Sequence, residues 1–262
     1  MTSSIQDDSL NLSAQIDCNG VRFADIRAVI FDKDGTLAQV DAFLSLLGQL
    51  RADQLASTIP GIETAVLDSF GLKQGLDPTG LLAVASRSEN IIAIAAHVAA
   101  TERGWLESLA RVEAAFLEAE QKLPLKAPLT PLVPGTLDLL SRLQAAQLEL
   151  GLLSSDTQGN VESWVETYQL ESYFSYLQGV SEALPSKTHP HFLAQACRSM
   201  QVDPAVVLVI GDSAADRIMA TNAAGFIGVT GGWSRPFEIV SPEPFLKPHA
   251  AAVGLEQINV VR

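Results

Sequence analysis

The sequence has few cysteines, little positive charge and no long uncharged apolar segment. Cys18 and Cys197 are the only cysteines among 262 residues, which excludes a disulfide scaffold, and their spacing fits no metal site. We expect both to be small core or surface residues in a reducing cytosol. The nearest approach to a membrane span is residues 91–100, far short of the roughly 20 that are needed. We therefore expect a buried helix there.

Positive charge is scarce, since 17 Lys and Arg face 30 Asp and Glu for a net charge of -13. A field of this sign repels nucleic acids and anionic lipids, so we predict neither a nucleic-acid nor a membrane partner. Residues 1–12 carry two aspartates and lack the basic and apolar regions of a signal peptide, which predicts a cytoplasmic protein. An anionic substrate would need a local cation or a metal ion.

Short runs rich in Val, Ile and Leu predict strands that are buried on both faces. Helical patterns alternate with the later runs, which predicts an α/β fold with a Rossmann-like parallel sheet. Residues 14–23 also fit a small hairpin that turns at Asn19 and Gly20. The predicted strands are 28–31, 148–153, 205–210 and 226–229, and the predicted helices of the sheet domain are 155–170, 191–200 and 214–224.

The segment between the first two predicted strands has a different character. It is rich in Ala and Leu at helical spacing, as in Val112, Phe116 and Ala119, and has little strand character. This pattern predicts an all-helical domain inserted at 40–127. The α/β core would then comprise 1–39 and 128–262.

Chemically active side chains follow three of the predicted strands, at the end of a parallel sheet where ligands bind. Two carboxylates follow the first strand and two follow the third, and bringing them together without a cation would be strongly unfavourable. A hard divalent ion with oxygen ligands, Mg²⁺, would relieve this repulsion. The residues are Asp32, Asp34 and Thr36 after the first strand, Ser154 and Ser155 after the second, and Asp212, Ser213 and Asp216 after the third.

These motifs resemble those of the haloacid dehalogenase-like phosphohydrolases, most closely the phosphoglycolate phosphatase-like members with a helical C1-type cap. The segment Asp32 to Thr36 matches the Asp-x-Asp-Gly-Thr motif that follows the first strand of the family. Ser154 matches the second motif and Lys187 the third, while Asp212 with Asp216 matches the fourth. The chain departs from many relatives after Lys187, where Thr188 stands in place of proline.

The resemblance implies a Mg²⁺-dependent phosphatase that acts on a small phosphorylated metabolite through an aspartyl-phosphate. Asp32 would be the nucleophile, and Asp34 would act as general acid and then as general base. Ser154, Lys187 and Thr36 would bind the phosphoryl group. Asp32, the backbone carbonyl of Asp34, and Asp212 would hold Mg²⁺. Asp216 and Ser155 would be supporting residues.

Further residues near these motifs carry weaker expectations. Lys33 is expected to be a surface lysine whose backbone N–H faces phosphate, and Asp156 is a further acid that could join the pocket. Gly231 and Gly232 predict a flexible loop, with Trp233 beside it as a packing residue. Candidate contacts for an anionic leaving group are Arg51, Lys73, Arg87 and Arg103.

Two other functions remain open at this point. A sugar phosphomutase uses the same aspartate pair and a similar helical cap, but returns the phosphoryl group to the sugar. A catalytically silent relative would bind phosphate as a scaffold. A two-component receiver domain is disfavoured, because its acidic pair and its phospho-accepting aspartate lie on different strands, whereas Asp32 and Asp34 stand together.

Overall fold

The computed structural model describes residues 13–181, 186–189, 191–239 and 247–261. Its strands form two sheets. The larger is a six-stranded parallel sheet with strand order β5-β4-β3-β6-β7-β8, and the smaller is a three-stranded sheet with order β2-β1-β9. The strands are β1 Ala14–Cys18, β2 Val21–Ile26, β3 Ala28–Phe31, β4 Glu149–Thr157, β5 Tyr176–Val180, β6 Val207–Gly211, β7 Gly225–Val229, β8 His249–Ala252 and β9 Ile258–Val261.

Helices form the insertion after β3 and flank the parallel sheet. Those of the insertion are α1 Asp41–Ala56, α2 Glu63–Phe70, α3 Leu81–Val84, α4 Arg87–Ala99 and α5 Trp105–Gln121. Those of the sheet domain are α6 Thr136–Ala145, α7 Gln158–Thr167, α8 His191–Ser199 and α9 Ala214–Met219.

The expected parallel α/β sheet is confirmed, and its central strands are the most reliable part of the prediction. All four residues of β3 and all five of β6 are buried, which is why their sequences read as continuous apolar runs. Strands β5 and β8 were not predicted. β5 is only partly buried and includes a glutamine, while three of the four β8 residues are alanines, a residue with low strand propensity.

The predicted hairpin is also confirmed. β1 and β2 pair in antiparallel fashion, and both turn residues, Asn19 and Gly20, have positive φ (46° and 83°). Positive φ at both central residues is the geometry that favours Asn-Gly in tight hairpins. β9 pairs with the other edge of β1.

The inserted segment is helical throughout its regular structure, as predicted. Phe70 of α2 and Phe116 of α5 are fully buried, and their ring centroids are 6.1 Å apart. The expectation of a buried helix at 91–100 is only half right: α4 is amphipathic, with Ile94 buried and Ile92 exposed. In the described part of the chain, no helix is long and apolar enough to span a membrane. The exact domain boundaries remain a prediction.

Both cysteines lie in the core, which is one of the two environments, core or surface, expected from the sequence. Cys18 and Cys197 are buried and unpaired, and burial raises the pKa of the Cys197 thiol to about 11. A buried thiol that is protonated at neutral pH is a packing residue rather than a nucleophile.

Candidate active site

Parallel pairing of β3 with β6 brings the first and third acidic motifs together. Phe31 is in register with Ile210, and the backbone N–H of Asp32 donates to the carbonyl oxygen of Ile210 at 2.9 Å. Asp32 and Asp212 therefore leave neighbouring strands at almost the same level. Each is 4% exposed, so the two carboxylates meet in a nearly dry pocket.

Asp216 joins these two carboxylates in one buried cluster. One oxygen each of Asp32, Asp212 and Asp216 lies within 4.8 Å of the others. Burial, with further repulsion from Asp216, raises the pKa of Asp32 to about 6, although Lys187 acts in the opposite direction. Burial and the charges of Asp32 and Asp216 raise the pKa of Asp212 well above its usual range. The cluster is thus an acidic site with insufficient positive charge of its own.

The ammonium of Lys187 contacts two carboxylates of this cluster. It donates to Oδ1 of Asp32, and to Oδ1 of Asp216 at 2.9 Å. The other carboxylate oxygen of Asp216 accepts from the backbone N–H of Ser213 at 3.0 Å and from its hydroxyl at 2.6 Å, completing a capping box at the start of α9. Asp216 therefore contacts the Lys187 ammonium with one oxygen and caps α9 with the other.

Two donors fix the carboxylate of Asp212. The Thr36 hydroxyl donates to Oδ1 at 2.9 Å, and the Trp233 indole N–H donates to Oδ2 at 2.7 Å. Trp233 is therefore more than the packing residue expected from sequence. The Thr36 side chain, predicted to bind phosphate, is fully buried on Asp212 in this structure.

The Gly231–Gly232 segment packs closely against two other parts of the chain, contrary to the expected flexible loop. A Cβ atom on Gly232 would lie 2.0 Å from the carbonyl oxygen of Gly35, and one on Gly231 would lie 2.2 Å from that of Val253. Glycine is required at both positions because the backbones approach so closely. The contact with Gly35 places Trp233 beside the loop that follows β3.

A second group of charges surrounds Asp34, and we call Lys33, Asp34, Lys126 and Asp156 the Asp34 cluster. Lys126 Nζ lies 2.6 Å from Asp34 Oδ2 and 2.6 Å from Asp156 Oδ2. Lys33 Nζ contacts Asp34 Oδ1 and lies 3.2 Å from Asp156 Oδ2. Burial alone would raise the pKa of Asp34, but the two ammonium groups outweigh it and hold that pKa well below its usual range. Asp34 is accordingly ionised in this arrangement.

Two residues of this cluster depart from the sequence analysis. Lys33 was expected at the surface but is 1% exposed, because its ammonium is paired with two carboxylates. Lys126 was not singled out at all, since it belongs to no motif and lies 92 positions from Asp34. Its position near the end of the helical insertion, where the chain returns to the sheet, was the one available signal.

The structure separates the two candidate serines. Both were expected just after the second strand but lie within β4, which extends to Thr157. Ser154 is buried, and its hydroxyl accepts from the backbone N–H of Asp156 at 3.1 Å. Ser155 is exposed, because successive residues of a strand point to opposite faces. Ser154 is thus the buried one of the two serines.

The basic residues proposed as leaving-group contacts have partners within the insertion. Arg51 and Arg87 both pair with Glu120, at 2.6 Å and 3.0 Å, and Lys73 pairs with Asp68 at 3.3 Å. Arg103 donates to the backbone oxygen of Thr101 at 3.3 Å. None of the four contacts the carboxylates of the active site in this structure.

The sequence model of the haloacid dehalogenase-like hydrolases matches residues 26–224, a span that contains the carboxylates, Thr36, Ser154 and Lys187 of the site but not Trp233. The chain belongs to this family. The match confirms the family to which the sequence motifs pointed.

Curated relatives of this haloacid dehalogenase-like hydrolase include bacterial phosphoglycolate phosphatases. The enzyme of Synechococcus elongatus is 33% identical over 106 residues, which cover 40% of this chain and 48% of the relative. That of Escherichia coli K12 is 28% identical over 227 residues, which cover 81% of this chain and 84% of the relative. These similarities confirm the expected enzyme class, a phosphatase.

Solved structures of the family share the fold. The crystal structure of a predicted phosphoglycolate phosphatase from Haemophilus somnus superposes with a TM-score of 0.58 over 86% of this chain and 93% of that chain, at 19% identity. At this identity the similarity concerns the fold, and it agrees with the α/β sheet and helical insertion described above.

The donor set of this hydrolase fits Mg²⁺. Three buried carboxylates face one another with one ammonium, Lys187, among them, so a divalent cation would offset an excess of negative charge. Carboxylate oxygens of this kind are the ligands that Mg²⁺ prefers. The resemblance to the family assigns the ion to Asp32, Asp212 and the backbone carbonyl of Asp34, and the first two belong to this group of carboxylates.

The excess negative charge predicts that Mg²⁺ stabilises this hydrolase. At a concentration 100 times the dissociation constant, a ligand of the folded state adds about 2.7 kcal/mol, which for a chain of this size raises Tm by roughly 5–10 °C. In Asp212→Asn, the Mg²⁺ effect should be lost while the metal-free Tm rises by a few degrees, because the repulsion is gone. Differential scanning calorimetry with EDTA or Mg²⁺ tests both changes. An equal Mg²⁺ shift in wild type and Asp212→Asn would contradict this metal site.

The hydrogen bond from Trp233 to Asp212 predicts a role in metal affinity. Trp233→Phe keeps an aromatic ring but removes the donor that orients the Asp212 carboxylate. We expect the Mg²⁺ dissociation constant to rise by about 10-fold, the lower end of the range for loss of such orienting contacts, when it is measured by isothermal titration calorimetry. Trp105→Phe changes an exposed tryptophan and serves as the matched control. Unchanged affinity in Trp233→Phe would show that the hydrogen bond has no such role.

Proposed function

We propose that this protein hydrolyses phosphate monoesters of small metabolites, with Mg²⁺ as cofactor and an aspartyl-phosphate at Asp32 as intermediate. One observation carries the proposal. The Asp32 carboxylate lies at the end of β3 in direct contact with the Lys187 ammonium and beside Asp212. The residues proposed as nucleophile, phosphate-binding cation and metal ligands are therefore neighbours, and this supports the proposal.

In the first step, the ionised carboxylate of Asp32 attacks phosphorus. The new Oδ–P bond forms as the bond between phosphorus and the leaving oxygen breaks, and Asp34 donates a proton to that oxygen. The negative charge of bound phosphate raises the proton affinity of the neighbouring Asp34 carboxylate, which is ionised in the absence of substrate. Lys187 and Ser154 hold the phosphoryl oxygens.

In the second step, water attacks the phosphorus of the aspartyl-phosphate. Asp34 takes a proton from this water, inorganic phosphate leaves, and the Asp32 carboxylate is regenerated. When bound, Mg²⁺ supplies positive charge that offsets the charge of the phosphoryl oxygens and lets an anionic nucleophile approach. The helical insertion next to the site is suited to exclude bulk water during both steps.

Phosphoglycolate is the candidate substrate, because curated relatives over most of the chain carry that activity in their names. The test is to measure inorganic phosphate release from phosphoglycolate, hexose phosphates and nucleotides in the presence of Mg²⁺. We expect kcat/KM to be highest for phosphoglycolate. Millimolar KM values for all of these substrates with no preference would reject phosphoglycolate.

The same assay separates the alternative functions. An isomeric sugar phosphate without free phosphate would identify a phosphomutase. Phosphate binding without turnover of any ester would identify a silent scaffold. Either result would replace the proposed function.

A further inference from the structure

Residues 122–135, between α5 and α6, lead from the helical insertion back to the sheet, and we call them the return segment. Lys126 lies in this segment, and its side chain reaches the active site. Its ammonium contacts Asp34, on the loop after β3, and Asp156, at the end of β4. It also lies 5.3 Å from the ring centroid of Phe43 on α1, within the range of a cation–π contact. One side chain therefore touches the catalytic loop, the sheet and the first helix of the insertion.

The backbone that carries Lys126 is anchored. Its carbonyl oxygen accepts from the backbone N–H of Leu129 at 3.0 Å and from the Thr130 hydroxyl at 3.1 Å. The carbonyl oxygen of Thr130 in turn accepts from the buried indole of Trp164 on α7 at 2.9 Å. The ammonium thus projects from a fixed point toward Asp34.

Charge balance in the Asp34 cluster depends on Lys126. The cluster contains two ammonium groups and two carboxylates, and the side chains of Lys126 and Asp156 are 15% and 11% exposed. Without Lys126, Asp34 and Asp156 would share Lys33 alone and repel each other in a poorly hydrated place. The carboxylate of Asp34 would then turn away from its present position.

We propose that Lys126 is a positioning residue for proton transfer by Asp34, and that it links the return segment of the helical insertion to this transfer. The inference rests on the proposed phosphatase function. A general acid must lie within hydrogen-bond reach of the leaving oxygen, and small misplacements are costly. Lys126 holds Asp34 Oδ2 in place while Lys33 holds Oδ1.

The test compares phosphate monoesters whose leaving groups range from p-nitrophenol to simple alcohols, with kcat/KM as the readout. This parameter covers the steps up to departure of the leaving group, in which Asp34 donates its proton. In Lys126→Met, kcat/KM should fall about 10-fold for alkyl esters, a part of the 10²–10⁴ that general acid catalysis contributes. It should change little for p-nitrophenyl phosphate, whose leaving group needs no proton.

Matched variants separate positioning from general damage. Lys122→Met removes another lysine of the same segment, which contacts Gln54 at the surface, and should leave all rates unchanged. Lys126→Arg should restore part of the alkyl-ester activity. Asp156→Asn keeps Lys126 but removes one of its charged partners, and should show a weaker form of the same leaving-group dependence. In the Asp34→Asn background, Lys126→Met should cause no further loss on alkyl esters.

An equal fall in kcat/KM for all leaving groups in Lys126→Met, together with a lower Tm, would show a structural role only and overturn the inference. An additional loss in the Asp34→Asn background would overturn it as well. Failure of the wild-type protein to hydrolyse any phosphate ester would instead overturn the proposed function. The two failures are therefore distinguishable.

Discussion

Asp32→Asn is expected to lose at least about 10⁴-fold in kcat for hydrolysis of any phosphate monoester, a loss comparable to removal of a covalent nucleophile in other enzymes. Asparagine has nearly the same shape and can still accept from Lys187, but its amide oxygen cannot form the acyl-phosphate. The metal-free variant should be at least as stable as the wild type, because one of three mutually repelling carboxylates is gone. Steady-state phosphate release and thermal unfolding measure the two effects.

Asp25→Asn is the matched control for this variant. Asp25 is exposed, with a positive φ of 57° that asparagine adopts readily. It should keep full activity. Full Mg²⁺-dependent hydrolysis by Asp32→Asn would reject the nucleophile assignment, whatever the substrate.

Lys187→Met is expected to have the largest effect on stability, about 3–5 kcal/mol, the cost of removing one partner from a buried ion pair. Lys187 is 4% exposed, and its ammonium contacts the carboxylates of both Asp32 and Asp216. Its loss leaves both carboxylates buried without a counter-charge. Denaturant unfolding of the metal-free protein measures the change in the free energy of unfolding.

The destabilisation by Lys187→Met should depend on pH. The pKa of Asp32 is already raised to about 6 in the folded protein, so proton binding to Asp32 stabilises the folded state at low pH. This stabilisation is lost as pH rises through about 6. Removal of Lys187 raises that pKa further. The penalty should therefore be small near pH 5 and largest above pH 7.

Two further variants make the result specific. Lys187→Met combined with Asp216→Asn should be more stable than Lys187→Met alone, because one uncompensated carboxylate is gone. Lys247→Met, at an exposed lysine, should leave stability unchanged. A Lys187→Met protein as stable as wild type at pH 8 would contradict the buried ion pair.

The site residues that could be predicted are those set by strand order and by local motif. Asp32 and Asp212 each follow a clear apolar run. Parallel pairing of these two strands then brings both residues to the same end of the sheet. Thr36 and Asp216 also follow predicted strands, and their roles came from the resemblance to the family, whereas Lys187 was singled out by the resemblance alone. The structure places Lys187 and Asp216 in direct contact with each other, and Thr36 on Asp212.

What could not be predicted depends on contacts between distant parts of the chain. Lys126 belongs to no motif, and only the path of the insertion brings it to Asp34. The sequence predicts a solvated Lys33, because no residue near it in the sequence indicates that its ammonium will pair with Asp156. Trp233 reaches Asp212 from a loop whose close approach to Gly35 requires glycine at position 232. β8 lacks the β-branched residues that indicate a strand.

The central claim is that Asp32 becomes phosphorylated during turnover. The direct measurement is rapid acid quenching of the wild-type enzyme during hydrolysis of a substrate labelled in its phosphoryl group, followed by peptide mapping. We predict label that is stable in acid, released by hydroxylamine, and located on the peptide that contains Asp32. Release of labelled phosphate with no covalent label at any time, or label on a different residue, would contradict the mechanism.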